Sequence, residues 1–120
     1  MGNSERVLAY IRAWEEKSVE DILARMTPDA VWQNTGLPDA IGHDAIRAVA
    51  AAFLGDAEVV EFTVHAIAET ADGKVFTERT DRFEGPRGNF VIPVNGVFEF
   101  SGDLICAWRD YFDPGPFKAG

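Results

Sequence analysis

The first half of the chain spaces its apolar residues three or four apart, which is typical of amphipathic helices. Residues 4–16 (SERVLAYIRAWEE) follow this spacing and predict a helix with Ser4 as its N-cap. Residues 18–26 (SVEDILARM) begin with a Ser and an Asp spaced as in a capping box, and they predict a second, shorter helix. Residues 42–55 (GHDAIRAVAAAFLG) predict a third helix, which ends at Gly55.

From residue 57 the period of the apolar residues changes to two, which is typical of half-buried strands. Residues 57–69 predict a strand whose inward face carries Val60, Phe62, Val64 and Ala66. The following turn signals, Asp72-Gly73, EGPRG and Ser101-Gly102-Asp103, predict three more strands at 74–83, 89–100 and 104–113.

A brief strand is predicted within residues 27–34, after a turn at Pro28. Residues 113–120 are rich in Pro and Gly, and we expect them to be irregular and to lie over an opening. Helices followed by a long antiparallel meander predict one α+β domain over residues 1–120, with a sheet that curves around the helices.

Composition and charge narrow the classes of function. The 120 residues, 47% of them hydrophobic, suffice for one core and are few for two. A net charge of -9 would repel phosphate backbones and anionic lipids, so we expect neither nucleic acid nor a membrane as a partner. The single Cys106 cannot form an internal disulfide, and the N-terminal residues lack the apolar run of a signal peptide, so the expected location is cytoplasmic.

Three charged residues occupy positions that the strand period assigns to an inward, apolar face. Arg79 and Asp81 share a face of their strand, and Asp110 lies between Trp108 and Phe112. An unpaired charge in such a place is costly. If a curved sheet points these faces into one cavity, Arg79 can bridge Asp81 and Asp110 with bidentate hydrogen bonds.

Two carboxylates around one guanidinium favour a state in which one of them keeps a proton, because two ionised groups would leave a dry pocket with a net negative charge. An aspartic acid and an aspartate in one site give a general acid and a general base. The hydrolytic opening of a strained ring ether fits this pair, since it needs a proton donor and a proton acceptor at once.

Each of these assignments has a structural alternative. Arg79 and Asp81 are compatible with an exposed cross-strand ion pair, and Asp110 with a solvated sheet edge. Asn34 is compatible with the start of the turn at TGLP. Trp108 is assigned to core packing.

The His and Cys residues indicate no metal or cofactor site. His43 begins a predicted helix and His65 lies on the polar face of a strand, without a third ligand at metal spacing. Cys106 shares a predicted face with Trp108 and Asp110, but no His is placed to activate it, so we expect a small buried thiol. Because the sequence has no Gly-rich phosphate loop and no Ser nucleophile motif, we expect no cofactor.

Four segments carry a resemblance to a known family. WQNTGLP, VFTERTDRF, NGVFEF and WRDYFD, in this order and spacing, resemble the limonene-1,2-epoxide hydrolase family, within the NTF2-like and SnoaL-like superfamily that also holds ketosteroid isomerase. The resemblance runs from the first predicted helix to Asp113. It implies an α+β cone, in which a curved mixed, mostly antiparallel sheet wraps around N-terminal helices. It also implies a homodimer, in which the partner would cover outward apolar residues such as Phe76.

The resemblance implies a role for each site residue. Asp110 would be the base that activates water, Asp81 the acid that protonates the epoxide oxygen, and Arg79 the bridge that holds both. Asn34 and Trp32 would hold the water. The family usually has Tyr where this chain has Trp32, and an indole N–H donates but cannot accept a hydrogen bond.

The resemblance also implies an apolar substrate chamber. Its predicted lining is Phe83, Ile92, Val94 and Phe112, with Phe53 and Trp14 as additions from the helices. The expected substrate is a small apolar epoxide, which one-step hydrolysis would convert to a vicinal diol.

Two other functions remain open from the sequence. A ketosteroid isomerase-like or SnoaL-like isomerase or cyclase would use a single carboxylate beside a carbonyl, and Arg79 argues against it because a guanidinium would lower the pKa of that base. A non-catalytic small-ligand-binding domain is the other, and the unusual Trp32 favours it. Such a domain need not hold Arg79 within hydrogen-bond reach of both Asp81 and Asp110.

Overall fold

Three helices form close to the predicted positions in the computed structural model, which describes residues 2–115. They are α1 (Asn3–Glu15), α2 (Val19–Ala24) and α3 (His43–Leu54). As predicted, Ser18 caps α2, since its hydroxyl oxygen accepts the N–H of Asp21, and Gly55 ends α3 with a φ of 33°. None of these helices is long and apolar enough to cross a membrane. Residues 116–120, most of the segment expected to lie over an opening, are outside the described part of the chain.

Six strands form one sheet beside the helices. They are β1 (Met26–Asn34), β2 (Ala40–Ile41), β3 (Val59–Glu69), β4 (Val75–Gly85), β5 (Gly88–Ser101) and β6 (Leu104–Tyr111). Their spatial order is β2-β1-β6-β5-β4-β3, and all neighbours are antiparallel except β1 and β6. This confirms the predicted α+β class and the mixed, mostly antiparallel sheet. The two-residue strand β2 was not predicted, because so short a segment shows no period.

An aromatic core joins the helices to one face of the sheet. Trp14 of α1 is 1% exposed, and its ring centroid lies 5.2 Å from that of Trp32 and 5.6 Å from that of Trp108. Trp32 and Trp108, on the neighbouring strands β1 and β6, stack with centroids 4.8 Å apart and planes 2° from parallel. Such large buried rings supply much of the apolar burial that stabilises a domain of this size.

A bulge in each of two strands changes which residues face the core. The pairing of β3 with β4 shifts between Val64 and Ala66, so Ala66 is exposed and Ile67 packs against the core instead. The prediction for Ala66 is therefore wrong. The pairing of β5 with β6 skips Cys106, which is half-buried. The prediction that Cys106 is a buried thiol on the face of Trp108 is wrong for the same reason.

The predicted starts of α1 and β1 also need correction. The N-cap of α1 is Gly2 and not Ser4, and the carboxylate of Glu5 accepts the N–H of Gly2 at 3.1 Å. Strand β1 begins at Met26 and includes Pro28. The strand tolerates a proline here because its pairing with β6 is interrupted at this point.

Candidate active site

Arg79 lies at the centre of a cluster of buried polar side chains on the inner face of the sheet. Its Nε and Nη2 donate to the two carboxylate oxygens of Asp81 at 3.0 and 2.9 Å. Its Nη1 and Nη2 donate to those of Asp110 at 3.2 and 2.9 Å, and Nη1 also donates to Oγ1 of Thr77 at 3.1 Å. All five N–H groups of the guanidinium are therefore satisfied. With Arg79 1%, Asp81 5% and Asp110 6% exposed, the alternatives of an exposed ion pair and a solvated edge do not apply.

Gly96 makes this bridge possible. Arg79 is on β4 and Asp110 on β6, and β5 lies between them. Gly96 of β5 pairs with Thr77 on one side and with Asp110 on the other. A Cβ atom at this position would lie 2.5 Å from Nη1 of Arg79 and 2.6 Å from Oδ1 of Asp110. Only a residue without a side chain lets the guanidinium cross β5.

Trp108 holds the carboxylate of Asp110 from another side. Its Nε1 donates to Oδ1 of Asp110 at 2.7 Å, while its ring packs in the core against Trp32 and Phe98. The assignment of Trp108 to packing alone is therefore wrong. Among residues 2–115, three side-chain hydrogen bonds reach Asp110 and two reach Asp81.

Burial raises the pKa of both carboxyl groups. For Asp110, burial outweighs the nearby Arg79 guanidinium, which lowers the pKa, and the result is a pKa of about 6. The pKa of Asp81 is also raised, again chiefly by burial and against the effect of Arg79. Contrary to the expectation from the sequence, Arg79 does not keep the pKa of Asp110 low, because burial has the larger effect. Burial also lowers the pKa of Arg79, but Asp110 and Asp81 together raise it above its ordinary value, so the guanidinium stays charged.

A cavity of about 30 Å³ lies against the two carboxylates. Its lining contains each residue predicted for the substrate chamber, namely Trp14, Phe53, Phe83, Ile92, Val94 and Phe112. Trp32, Asn34, Asp81 and Asp110 line it as well. The cavity is thus apolar except at the end where the carboxylates and Asn34 lie.

Trp32 and Asn34 both line this cavity and carry a hydrogen-bonding group in the side chain. Nε1 of Trp32 is buried and meets no acceptor among the described residues, and the same holds for Nε1 of Trp14, which lines the cavity too. Asn34 is 9% exposed and begins the TGLP turn through its backbone carbonyl, which accepts the N–H of Leu37 at 3.0 Å. The turn therefore does not use the side-chain amide of Asn34.

Comparison with known proteins assigns the chain to a family. Residues 1–117 match the limonene-1,2-epoxide hydrolase catalytic domain. The chain belongs to the limonene-1,2-epoxide hydrolase family. Among relatives of this hydrolase, the epoxide hydrolase EphG of Mycobacterium tuberculosis is 34% identical over 110 residues, which cover 89% of this chain and 70% of that protein. Family membership makes the protein an enzyme.

Solved structures agree with this assignment. An epoxide hydrolase of the same type from Mycobacterium tuberculosis superposes with a TM-score of 0.80 and 28% identity, over 92% of this chain and 82% of that one. An NTF2-like protein of unknown function from Burkholderia pseudomallei superposes with a TM-score of 0.85 and 17% identity, over 99% of this chain and 97% of that one. The second comparison bears on the fold alone and confirms the NTF2-like architecture of the hydrolase.

The sequence analysis missed three contributions to the site of this hydrolase: the hydroxyl of Thr77, the indole N–H of Trp108 and the bare backbone of Gly96. Thr77 lies two residues from Arg79, and Trp108 lies two residues from Asp110. The strand period alone therefore places each of them on the same face of its strand as that charged residue. Gly96 was visible as a glycine in the interior of a predicted strand, which often marks the close approach of another group.

Proposed function

We propose that this hydrolase opens a small apolar epoxide to a vicinal diol in one step, without a cofactor and without a covalent enzyme intermediate. The observation that carries the proposal is the guanidinium of Arg79, which donates to two buried carboxylates at the end of an apolar cavity. This arrangement supplies a general acid and a general base side by side. A domain that only binds a ligand has no need for three buried ionisable groups, since burying a charge is costly.

Asp110 is the general base in this proposal and Asp81 the general acid. Three donated hydrogen bonds stabilise the ionised form of Asp110, against two for Asp81. Because the two groups share Arg79 and repel each other when both are ionised, they titrate as a coupled pair. The pair therefore carries one proton over an intermediate range of pH, and the reactive form in this proposal is the one with that proton on Asp81.

One concerted step accounts for every bond and proton. Water loses a proton to Asp110 while its oxygen forms a bond to one epoxide carbon. The bond between that carbon and the ring oxygen breaks, and Asp81 donates its proton to this oxygen. The product is a vicinal diol, and the pair again carries one proton, now on Asp110. A single proton transfer back to Asp81 restores the starting state, and Arg79 stabilises whichever carboxylate is ionised.

Trp32 and Asn34 hold the attacking water in this proposal. The buried Nε1 of Trp32 donates to the water oxygen, while the amide oxygen of Asn34 and the carboxylate of Asp110 each accept a hydrogen bond from one O–H group of the water. An indole can replace the usual Tyr because the water needs a donor here. One lone pair of the water oxygen stays available for attack on the epoxide.

Isotope labelling tests both the activity and the mechanism. Limonene oxide and cyclohexene oxide are incubated with excess enzyme in ¹⁸O-labelled water, and the diol from the first turnover is analysed by mass spectrometry. We expect one labelled oxygen in the diol, because water attacks the epoxide directly. Unlabelled diol in the first turnover would mean that an enzyme carboxylate attacks instead and would overturn the one-step mechanism. No diol from any epoxide tested would overturn the proposed activity.

We further propose that the hydrolase is a homodimer, whose interface is the outer face of the sheet. Phe76, Val91 and Tyr111 lie on this face, opposite the helices, and are 44%, 61% and 55% exposed. Exposed apolar side chains on a sheet face are often covered by a partner subunit. We expect sedimentation velocity to give a dimer at micromolar concentration and Phe76→Glu to give a monomer. The same change at Leu8, which is 38% exposed on α1, should leave the dimer intact. A monomeric wild-type protein would contradict the proposal.

A further inference from the structure

The catalytic cavity is too small to hold a whole substrate. Its volume of about 30 Å³ is only a few times the ~10–15 Å³ that one water molecule needs. The attacking water and the three-membered ring fill such a space. Every other part of an epoxide substrate must lie elsewhere.

A second, larger cleft adjoins this cavity between α3 and the turn that joins β4 to β5. Its volume is about 480 Å³, within the range of roughly 300–1,000 Å³ that is usual for ligand pockets. Its lining is mainly apolar and includes Leu37, Val49, Ala52 and Phe90. The charged residues of the cleft include Asp56 and Arg87, which pair at 3.1 Å and whose side chains are more than half exposed. Asp56 and Arg87 therefore neutralise each other in a solvated ion pair. The surface that remains for a ligand is mainly apolar.

Two aromatic side chains separate the cleft from the cavity. Phe53 of α3 and Phe83 of β4 line both spaces, and their ring centroids lie 5.8 Å apart. Phe83 is on the same face of β4 as Asp81, two residues along the strand. An apolar chain that passes these rings from the cleft would thus arrive beside the acid that protonates the epoxide oxygen.

We propose that the hydrolase prefers epoxides with an extended apolar substituent, which lies in this cleft while the three-membered ring enters the catalytic cavity past Phe53 and Phe83. This inference rests on the proposed epoxide hydrolysis and narrows its substrate class. Among the described residues, the charged groups of the cleft are the paired Asp56 and Arg87 and Glu84, which pairs with Arg82. The preferred substituent is therefore a hydrocarbon.

A homologous series of terminal epoxides tests the proposal. We measure kcat/KM for 1,2-epoxybutane, 1,2-epoxyhexane and 1,2-epoxydecane with the wild-type protein and with Ala52→Trp, which fills part of the cleft. In the wild type, kcat/KM should rise roughly two- to fourfold for each added CH2 group, as expected when each group is buried. In Ala52→Trp, the ratio between the longest and the shortest epoxide should fall at least about tenfold, because an indole then occupies the space of several CH2 groups.

Ala51→Trp is the matched control. Ala51 precedes Ala52 in α3 and is also exposed, but it does not line the cleft. This variant should keep both the activity and the wild-type dependence on chain length. Turnover of all three epoxides at similar kcat/KM would overturn the cleft proposal and leave the proposed hydrolysis intact, while turnover of none would overturn both. If Ala52→Trp lowers all three values equally and also changes the sedimentation coefficient, the cleft is an interface between copies of the chain, and the proposal is wrong.

Discussion

Asp110→Asn is expected to lower kcat for epoxide hydrolysis by roughly 10²- to 10⁴-fold, the usual contribution of a positioned general base. The amide has nearly the shape of the carboxylate, but it cannot take a proton from water at neutral pH. Single-turnover hydrolysis of cyclohexene oxide measures the loss. Asp113→Asn is the control, because Asp113 is exposed and its carboxylate accepts only the N–H of Gly115 among the described residues. Near-normal turnover by Asp110→Asn would rule out Asp110 as the base.

The same variant should change how stability depends on pH. Burial raises the pKa of Asp110 to about 6, so the folded protein holds this proton more tightly than the unfolded chain does. Asp110 therefore contributes stability that is fully present below about pH 4 and is lost as the pH rises through about 6. A shift of about two pKa units corresponds to roughly 3 kcal/mol.

Urea unfolding between about pH 4 and pH 8 measures this contribution. In Asp110→Asn, Asp81 titrates alone beside Arg79, so the free energy of unfolding should depend less on pH than in the wild type. A cooperative unfolding transition also shows that the lost activity is not lost folding. If the free energy of unfolding depends on pH in the same way in both proteins, Asp110 does not titrate in this range.

The strand period was enough to predict that Arg79, Asp81 and Asp110 face inward. Alternation assigns each residue to a face, and charged residues on an apolar face must find partners within the fold. The meander order then places β4, β5 and β6 side by side, which limits the possible partners to a few residues. For this reason the contact of Arg79 with both carboxylates could be predicted from the sequence alone.

Alternation fails where a strand contains a bulge. Cys106 and Ala66 lie at such points, and both were assigned to the wrong face. A bulge depends on how two strands twist against each other, so one strand's own sequence does not reveal it. The pKa values were also beyond the sequence, since they depend on the balance between burial and Arg79.

Gly96→Ala is expected to lower both activity and stability, although the residue has no side chain that could touch a substrate. The added Cβ would lie 2.5 Å from Nη1 of Arg79 and 2.6 Å from Oδ1 of Asp110, so at least one of these groups must move. Backbone adjustment is limited because β5 is paired on both sides. A broken buried ion pair costs about 3–5 kcal/mol, and a displaced base loses on the order of 100-fold in rate. Urea unfolding and turnover of cyclohexene oxide measure the two effects, and Ser101→Ala, at the exposed end of β5, should cause neither.

A double-mutant cycle separates this steric mechanism from a general weakening of β5. In an Asp110→Ala background the carboxylate that meets the new methyl group is absent. The stability cost of Gly96→Ala should therefore be smaller there than in the wild type, by about 1 kcal/mol or more, as is usual for residues in direct contact. An equal cost in both backgrounds would mean that the clash with Asp110 does not cause the loss, which then comes from Arg79 or from β5 itself. A smaller cost would mean that the Arg79 bridge requires a glycine at residue 96, just as it requires the two carboxylates.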